Sequence, residues 1–230
     1  MVDDSISKLC SDYLRNRYAG LKASHARELV AAFFGYKSHA ALLTEKVYSI
    51  EYLHDAAIMI PAADMIQERK HSLKGLPDSV PSSIDLAYDL ADFLVAEQLF
   101  TGDVWHCSDL GEYMIEEYLP EHLNPDLDLE LEDVVAQTNA FFDEIEYDDA
   151  DVEDHPNSVS ITVLGTYGGY SDADKEFAGD TIDMEIWVQL RRCAGRIAFD
   201  EPEIMVEGTV NRDYLREQDH STPHQPAPAT

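Results

Sequence analysis

Residues 75–174 form a run of one hundred without a single Lys or Arg, and Asp or Glu occurs 26 times within it. Such a stretch has no counter-charge of its own. Its carboxylates must be solvated, held by bound cations, or matched by another part of the chain or by another molecule. The whole chain has 46 Asp plus Glu against 16 Lys plus Arg in 230 residues, a formal charge of −30. That balance excludes a nucleic-acid binder working by whole-body attraction to phosphate. Hydrophobic residues nevertheless make up 45% and aromatics 10%, enough for a packed core and too many for a wholly disordered acidic protein. The length allows one large domain or two small ones.

The cations cluster instead near the start. Between residues 13 and 46, six of them (Arg15, Arg17, Lys22, Arg27, Lys37 and Lys46) stand against Glu28 and Glu45, a local charge of +4. Helical spacing runs from Ile6 through Arg17 to a stop at Gly20. Ser24 reads as the cap of a helix reaching Phe34, Gly35 ends it, and Ser38 caps a short helix with Ala40, Ala41, Leu42 and Leu43. An extended piece is expected over residues 47–53, then a helix opening at Pro61 and closing at Gly75-Leu76-Pro77, which with Ser79, Pro81, Ser82 and Ser83 makes the best linker.

Beyond the linker, Ile84, Ala87, Tyr88, Ala91, Leu94 and Val95 trace an apolar helical stripe. Two more helices are predicted, one from Ser108 that stops before Pro120 and one from about Glu130 through Phe141, Phe142 and Ile145. The acidic run over residues 146–154 reads as a solvated loop. The period then changes to two: Val159, Ile161 and Val163, then Ile182, Met184, Ile186, Val188 and Leu190, alternate with polar residues as half-buried strands do. Gly195 marks a hairpin, with strands expected near residues 197–199 and 204–210. The expected architecture is α+β. It comprises a helical, helix-turn-helix-like module over residues 1–78, an acidic domain over 79–216 whose helices lead into a three- or four-stranded antiparallel sheet, and a disordered tail over 217–230.

The segment over residues 21–42, with Ser24-His25, Glu28-Leu29, Ala31, Gly35-Tyr36, Ser38 and Ala40-Ala41-Leu42, resembles the start of a small bacterial helical domain found in families labelled glyoxalase-related. These families occur among plasmid and mobile-element genes. Arg69, Leu73 and Gly75-Leu76-Pro77 look like the closing helix of that domain, so the resemblance covers about residues 15–77, a third of the chain. It implies a helical fold and brings no catalytic residue with it.

Three functions compete on these residues. The first is a non-enzymatic, cytoplasmic interaction protein, encoded by a bacterium or a mobile element. It uses an acidic surface (Asp109, Glu112, Glu116, Glu117, Glu144, Glu146, Asp148, Asp149 and Asp151) to engage a basic protein or occupy a nucleic-acid-binding site. Solubilisation, docking of the basic module on the acidic one, and salt adaptation are its bland rivals. The second is a regulator touching DNA through Arg27, Lys37, His39 and Lys46 of the helix-turn-helix-like module, the only direct nucleic-acid contact the charge allows. The third is a glyoxalase-related metal enzyme. Trp105-His106-Cys107 and Glu121-His122 offer ligand types, yet there is no HExxH, no CxxC and no repeated His/Glu pattern on βαβββ units. Residues 149–154 fail as a calcium loop because Asp154 stands where the sixth-position glycine belongs. No catalytic, metal or cofactor residue is therefore assigned, and no cofactor is expected. Cys10, Cys107 and Cys193 are odd in number and far apart, as in a reduced protein. The start, Met1-Val2-Asp3-Asp4, is acidic where a secretory signal is basic, and no apolar stretch approaches the roughly 20 residues of a membrane span. The expectation is a cytoplasmic protein without a membrane partner.

Overall fold

The computed structural model describes residues 3–138, 140–170 and 181–211. The helical part runs α1 (Asp3–Arg17), α2 (Ala23–Phe33), α3 (His39–Thr44), a 3-10 turn (Ile50–Asp55), β1 (Ile58–Met59), α4 (Ala63–Ser72), α5 (Ser83–Ala96) and β2 (Asp103–Val104). Short turns α6 (Leu110–Tyr113), α7 (Leu119–His122), α8 (Leu127–Glu130) and α9 (Glu132–Val135) follow. The strands are β3 (Phe141–Asp154), β4 (Ser158–Tyr170), β5 (Thr181–Ala194), β6 (Ala198–Phe199) and β7 (Glu203–Asn211). The tail expected over 217–230 lies outside the described residues.

The α+β class holds, with a mixed sheet larger than expected. Its hydrogen-bonded order is β2-β1-β6-β5-β4-β3, with β7 also pairing β5, seven strands in place of three or four. β1 pairs parallel with β2 and antiparallel with β6, so the sheet is not purely antiparallel. The two-residue strands β1, β2 and β6 are too short for any period to reveal them.

Two compact units emerge. Of the described residues, one gathers 3–109 with 154–160 and 189–203, and the other gathers 110–138, 140–153, 161–170, 181–188 and 204–211. The boundary expected at residue 78 thus falls after Asp109. The reason lies in the core: α5 buries Leu86, Ala87, Leu90, Ala91 and Leu94 in one cluster with Leu14 of α1, Leu29 and Phe33 of α2 and Ile66 of α4. Ala194, Ile197 and Ala198 join the same cluster from the far end of the chain. The linker glycine, Gly75, is a turn inside this unit and not a division between domains.

Within the first unit α2 is the central helix, with Ala26, Leu29, Val30, Ala31, Ala32 and Phe33 all buried. Lys22, not Ser24, occupies its N-cap position and makes no side-chain cap. Ser38 caps α3 as its position predicts, its side chain accepting the Ala41 N–H at 3.1 Å. α3 has only six residues, under two turns. A buried α2 and so short a successor pack a core and do not present a recognition helix, which corrects the helix-turn-helix expectation. Residues 50–55 coil into a 3-10 turn capped by Ser49, where an extended piece was expected.

In the second unit Pro120 does not end its helix. Residues 114–118 form a π turn in which the Leu119 N–H reaches the Met114 carbonyl, and α7 continues through the proline. The wider turn shifts the ladder so that the missing proline N–H falls in the first turn of a new helix, where no partner is needed. The helix expected through Ile145 stops at Val135; Phe141, Phe142 and Ile145 lie on β3. The β5 alternation stands as predicted, with Ile182, Met184, Ile186, Val188 and Leu190 buried.

α1 is tied to α5 by a small polar cluster: Tyr18 donates its hydroxyl hydrogen to the Asp89 carboxylate, and Arg17 bridges the same carboxylate at 2.8 Å. Burial, and then the bond to Asp89, push the Tyr18 phenol up to about 12. Burial alone pushes Tyr147 up to about 12. The folded state therefore keeps these protons where the unfolded chain, at an ordinary phenol value of about 10, gives them up. Their contribution to stability is full below about pH 10 and fades as pH rises toward about 12. The urea midpoint is expected to fall between about pH 9.5 and 11.5, and Tyr18→Phe is expected to flatten that decline; a midpoint slope identical in the variant contradicts the assignment.

Candidate functional site

The run expected to be a loop is a strand. β3 stands at one end of the strand order and carries Asp143, Glu144, Glu146, Asp148, Asp149, Asp151, Glu153 and Asp154, all exposed. Its connection to β4 is three residues long, which only an antiparallel pairing permits. Close contact is visible at Gly165 of β4, where a Cβ would lie 2.5 Å from the Glu146 carbonyl. The half-buried positions Phe142, Ile145, Tyr147 and Ala150 do not keep a strict period of two. That broken period hides the strand from sequence patterning, and charged residues on a terminal strand are a recognised defence against edge-to-edge pairing.

Two tyrosines fix this part of the second unit. Tyr147 donates its hydroxyl hydrogen to Asn124, and Tyr167 of β4 donates to Asp128 at 2.7 Å. The aromatic positions thus anchor the hairpin while the carboxylates face water. Glu144, Glu146, Asp148, Asp149 and Asp151 form no ion pair among the described residues. Eight acids in the twelve residues 143–154 give about one charge per 5 Å of strand at a rise of ~3.4 Å per residue. One DNA strand carries about one per 3.4 Å of axis. Of the other predicted surface residues, Glu112 lies on α6 and Glu116 and Glu117 on the π turn, all exposed, and Asp109 precedes α6 in the first unit. The structure brings together the β3 acids; the helical ones belong to separate elements.

The predicted cationic residues separate too. Arg27 and His39 line a groove of about 540 Å³ with Lys8 and Arg15. Lys37 lines a different cavity. Lys46 is exposed beyond α3, its backbone N–H donating to the Glu45 carboxylate at 2.9 Å. Among the described residues no group of three or more His, Cys, Asp or Glu is placed to hold a metal ion. Cys10 is buried, and burial raises its thiol to about 12; Cys193 is raised to about 11 for the same reason. Neither is an activated nucleophile. No helix among the described residues is long and apolar enough to cross a membrane.

Sequence reading missed Arg192. Its guanidinium is 5% exposed and pairs with Asp154, while its other donors reach the carbonyls of His155, Ser158 and Arg196. The Arg192 backbone N–H donates to the Asn157 carbonyl at 3.0 Å. One residue thereby fixes the whole β3–β4 turn. A signal was present: positions 182, 184, 186, 188 and 190 face inward, and 192 continues that parity with a charged residue.

Comparison with protein-family models, with curated proteins and with solved structures finds no match to this chain. The resemblance of residues 15–77 to glyoxalase-related domains therefore carries no functional residue into the argument.

Removing Arg192 takes away the hydrogen bonds of a buried guanidinium to three carbonyls, of which the Ser158 carbonyl keeps the His155 N–H at 2.9 Å, so Arg192→Met is expected to cost about 2–4 kcal/mol in denaturant unfolding. Asp154 is 74% exposed, and Asp154→Asn is expected to cost less than about 1 kcal/mol. Equal costs for the two would show that the ion pair, and not the carbonyl set, is what matters.

Proposed function

We propose that the chain is a non-enzymatic interaction protein that engages a basic, nucleic-acid-binding protein through the carboxylates of β3 and so occupies the surface that would otherwise hold phosphate. The observation that carries this reading is the row of exposed acids on a terminal strand, at a linear density within a factor of two of one DNA strand. An anchored strand fixes the position of each charge, the acids being divided between its two faces. A solvated loop would disperse them and lose entropy on binding. Unpaired like charge also costs the folded state through self-repulsion, a cost that a cationic partner relieves. The helical acids Glu112, Glu116 and Glu117 widen the negative field that steers such a partner.

Contact with DNA by this chain itself has weaker support, because only Arg27 and His39 share a groove while Lys37 lines a different cavity and Lys46 lines neither, and the net charge opposes approach. A glyoxalase-related enzyme has no metal-ligand cluster among the described residues to work with.

Affinity capture with the full chain tests the proposal. The expected partners are basic nucleic-acid-binding proteins, displaced by duplex DNA and bound about tenfold or more weakly at 200 mM than at 50 mM salt. Capture is expected to be lost on joint neutralisation of β3 by Glu144→Gln, Glu146→Gln, Asp148→Asn, Asp149→Asn and Asp151→Asn. Partners that are neither basic nor nucleic-acid-binding, binding indifferent to salt, or full retention by the neutralised variant would overturn it.

A further inference from the structure

We infer that the cavity formed by the α2–α3 turn, α4 and the β5–β6 hairpin is a binding site for a small organic anion, whose charged group is held by Arg196 and Lys37 and whose apolar body lies against Tyr36, Met65 and Ile197. The cavity has a volume of about 630 Å³, and Asp154 and Arg192 also line it. A smaller cavity of about 320 Å³ shares Tyr36, Lys37 and Met65 with it and adds Arg69 and Glu68. Sites for small molecules have about this size and this mixture, mostly apolar wall with a few convergent polar groups.

Charge identifies the ligand class. Several cations of this acidic chain, Lys22, Arg27 and Lys46 among them, make no ion pair with a described carboxylate; what sets this cavity apart is that two such cations line it together with an apolar wall. Arg192 has Asp154, and Arg69 has Glu28 at 3.7 Å. Arg196 and Lys37 are both exposed at the cavity and make no ion pair with any described carboxylate. At physiological ionic strength charges beyond about 8 Å are largely screened, so these local groups decide what enters and the distant acids do not.

The site is also built in advance. The Arg196 backbone N–H donates to the Phe34 carbonyl at 3.0 Å, and the preceding Gly195 N–H donates to the Tyr48 carbonyl at 2.8 Å. Gly35 has φ +82°, and a Cβ there would stand 2.7 Å from the Arg196 Cβ, so only glycine lets the hairpin approach so closely. The Arg196 guanidinium lies 5.7 Å over the centre of the Tyr36 ring. A guanidinium held by its backbone and by an aromatic face offers a planar fork that carboxylate or phosphate can meet with two parallel bonds. Lys37, next to Tyr36 in sequence, adds a mobile point charge. An inorganic ion alone would leave the apolar wall uncovered, which is why the ligand is taken to be organic.

Calorimetric titration of the full chain with phenyl phosphate, benzoate and neutral benzyl alcohol tests the site and separates a phosphorylated ligand from a carboxylated one. At least one of the two anions is expected to bind one to one, and benzyl alcohol about tenfold or more weakly. Arg196→Gln and Lys37→Ala are each expected to weaken the anion about tenfold with an unchanged unfolding midpoint, and Lys46→Ala to leave it as it was. Should Arg196→Gln lower the midpoint, Lys37→Ala alone decides. Absence of saturable binding by both anions, equal binding of benzyl alcohol, or wild-type affinity in the deciding variant overturns the inference. Neither Arg196→Gln nor Lys37→Ala touches Glu144, Glu146, Asp148, Asp149 or Asp151, whose partner is a protein and whose test is separate.

Discussion

A single buried guanidinium holds the join on which this architecture depends. Arg192 sits at the end of a strand whose inward positions are otherwise apolar, and it binds Asp154 together with three backbone carbonyls. Burying a cation is costly unless nearly all of its donors are met, and here the turn after β3 meets them. The chain thereby converts a cost of desolvation into a fixed turn, at the one place where an acidic strand must be led back into a sheet. Asp154 supplies charge, yet it is largely solvated, so the carbonyls decide the geometry and the carboxylate adds little.

From that join the charge pattern acquires a shape. Carboxylates without counter-ions tend to drive a segment apart. β3 resists because Tyr147, Ile145 and Phe142 are half-buried on it and Tyr147 is hydrogen-bonded to Asn124. The result is charge divided between the two faces of one strand, with a spacing set by the backbone. The cations, by contrast, are spread over the helical unit in separate places, some paired and some not, and those without partners are what gives the cavity at Arg196 its chemical character.

Much of the helical unit was legible in the sequence because its signals are local. The Ser38 cap, the positive φ of Gly35 and the stripe from Leu86 to Leu94 each need only a few neighbouring residues to be read. β5 was legible for the same reason, since a strict alternation survives along its length. β3 was not: its apolar positions shift phase at two points and its exposed positions are almost all acidic, so the segment carries the composition of a loop and the backbone of a strand. The partition into units was hidden because residues 189–203 complete a core that begins at Ile6, and no local pattern encodes a return of that kind. Of the candidate sites, the β3 acids could be named from composition alone. The Arg196 cavity could not, because its residues come from four distant segments, although an arginine on the inward parity of β5 was a visible irregularity.

The strand character of residues 141–154 is the claim most exposed to direct test, and residue-resolved amide hydrogen exchange on the full chain measures it. A terminal strand paired on one side only is predicted to show alternating protection, slow where an amide faces β4 and fast where it faces outward. Uniformly fast exchange through these residues would return them to a solvated loop, and uniformly slow exchange would show the outer edge already covered; either result contradicts the account.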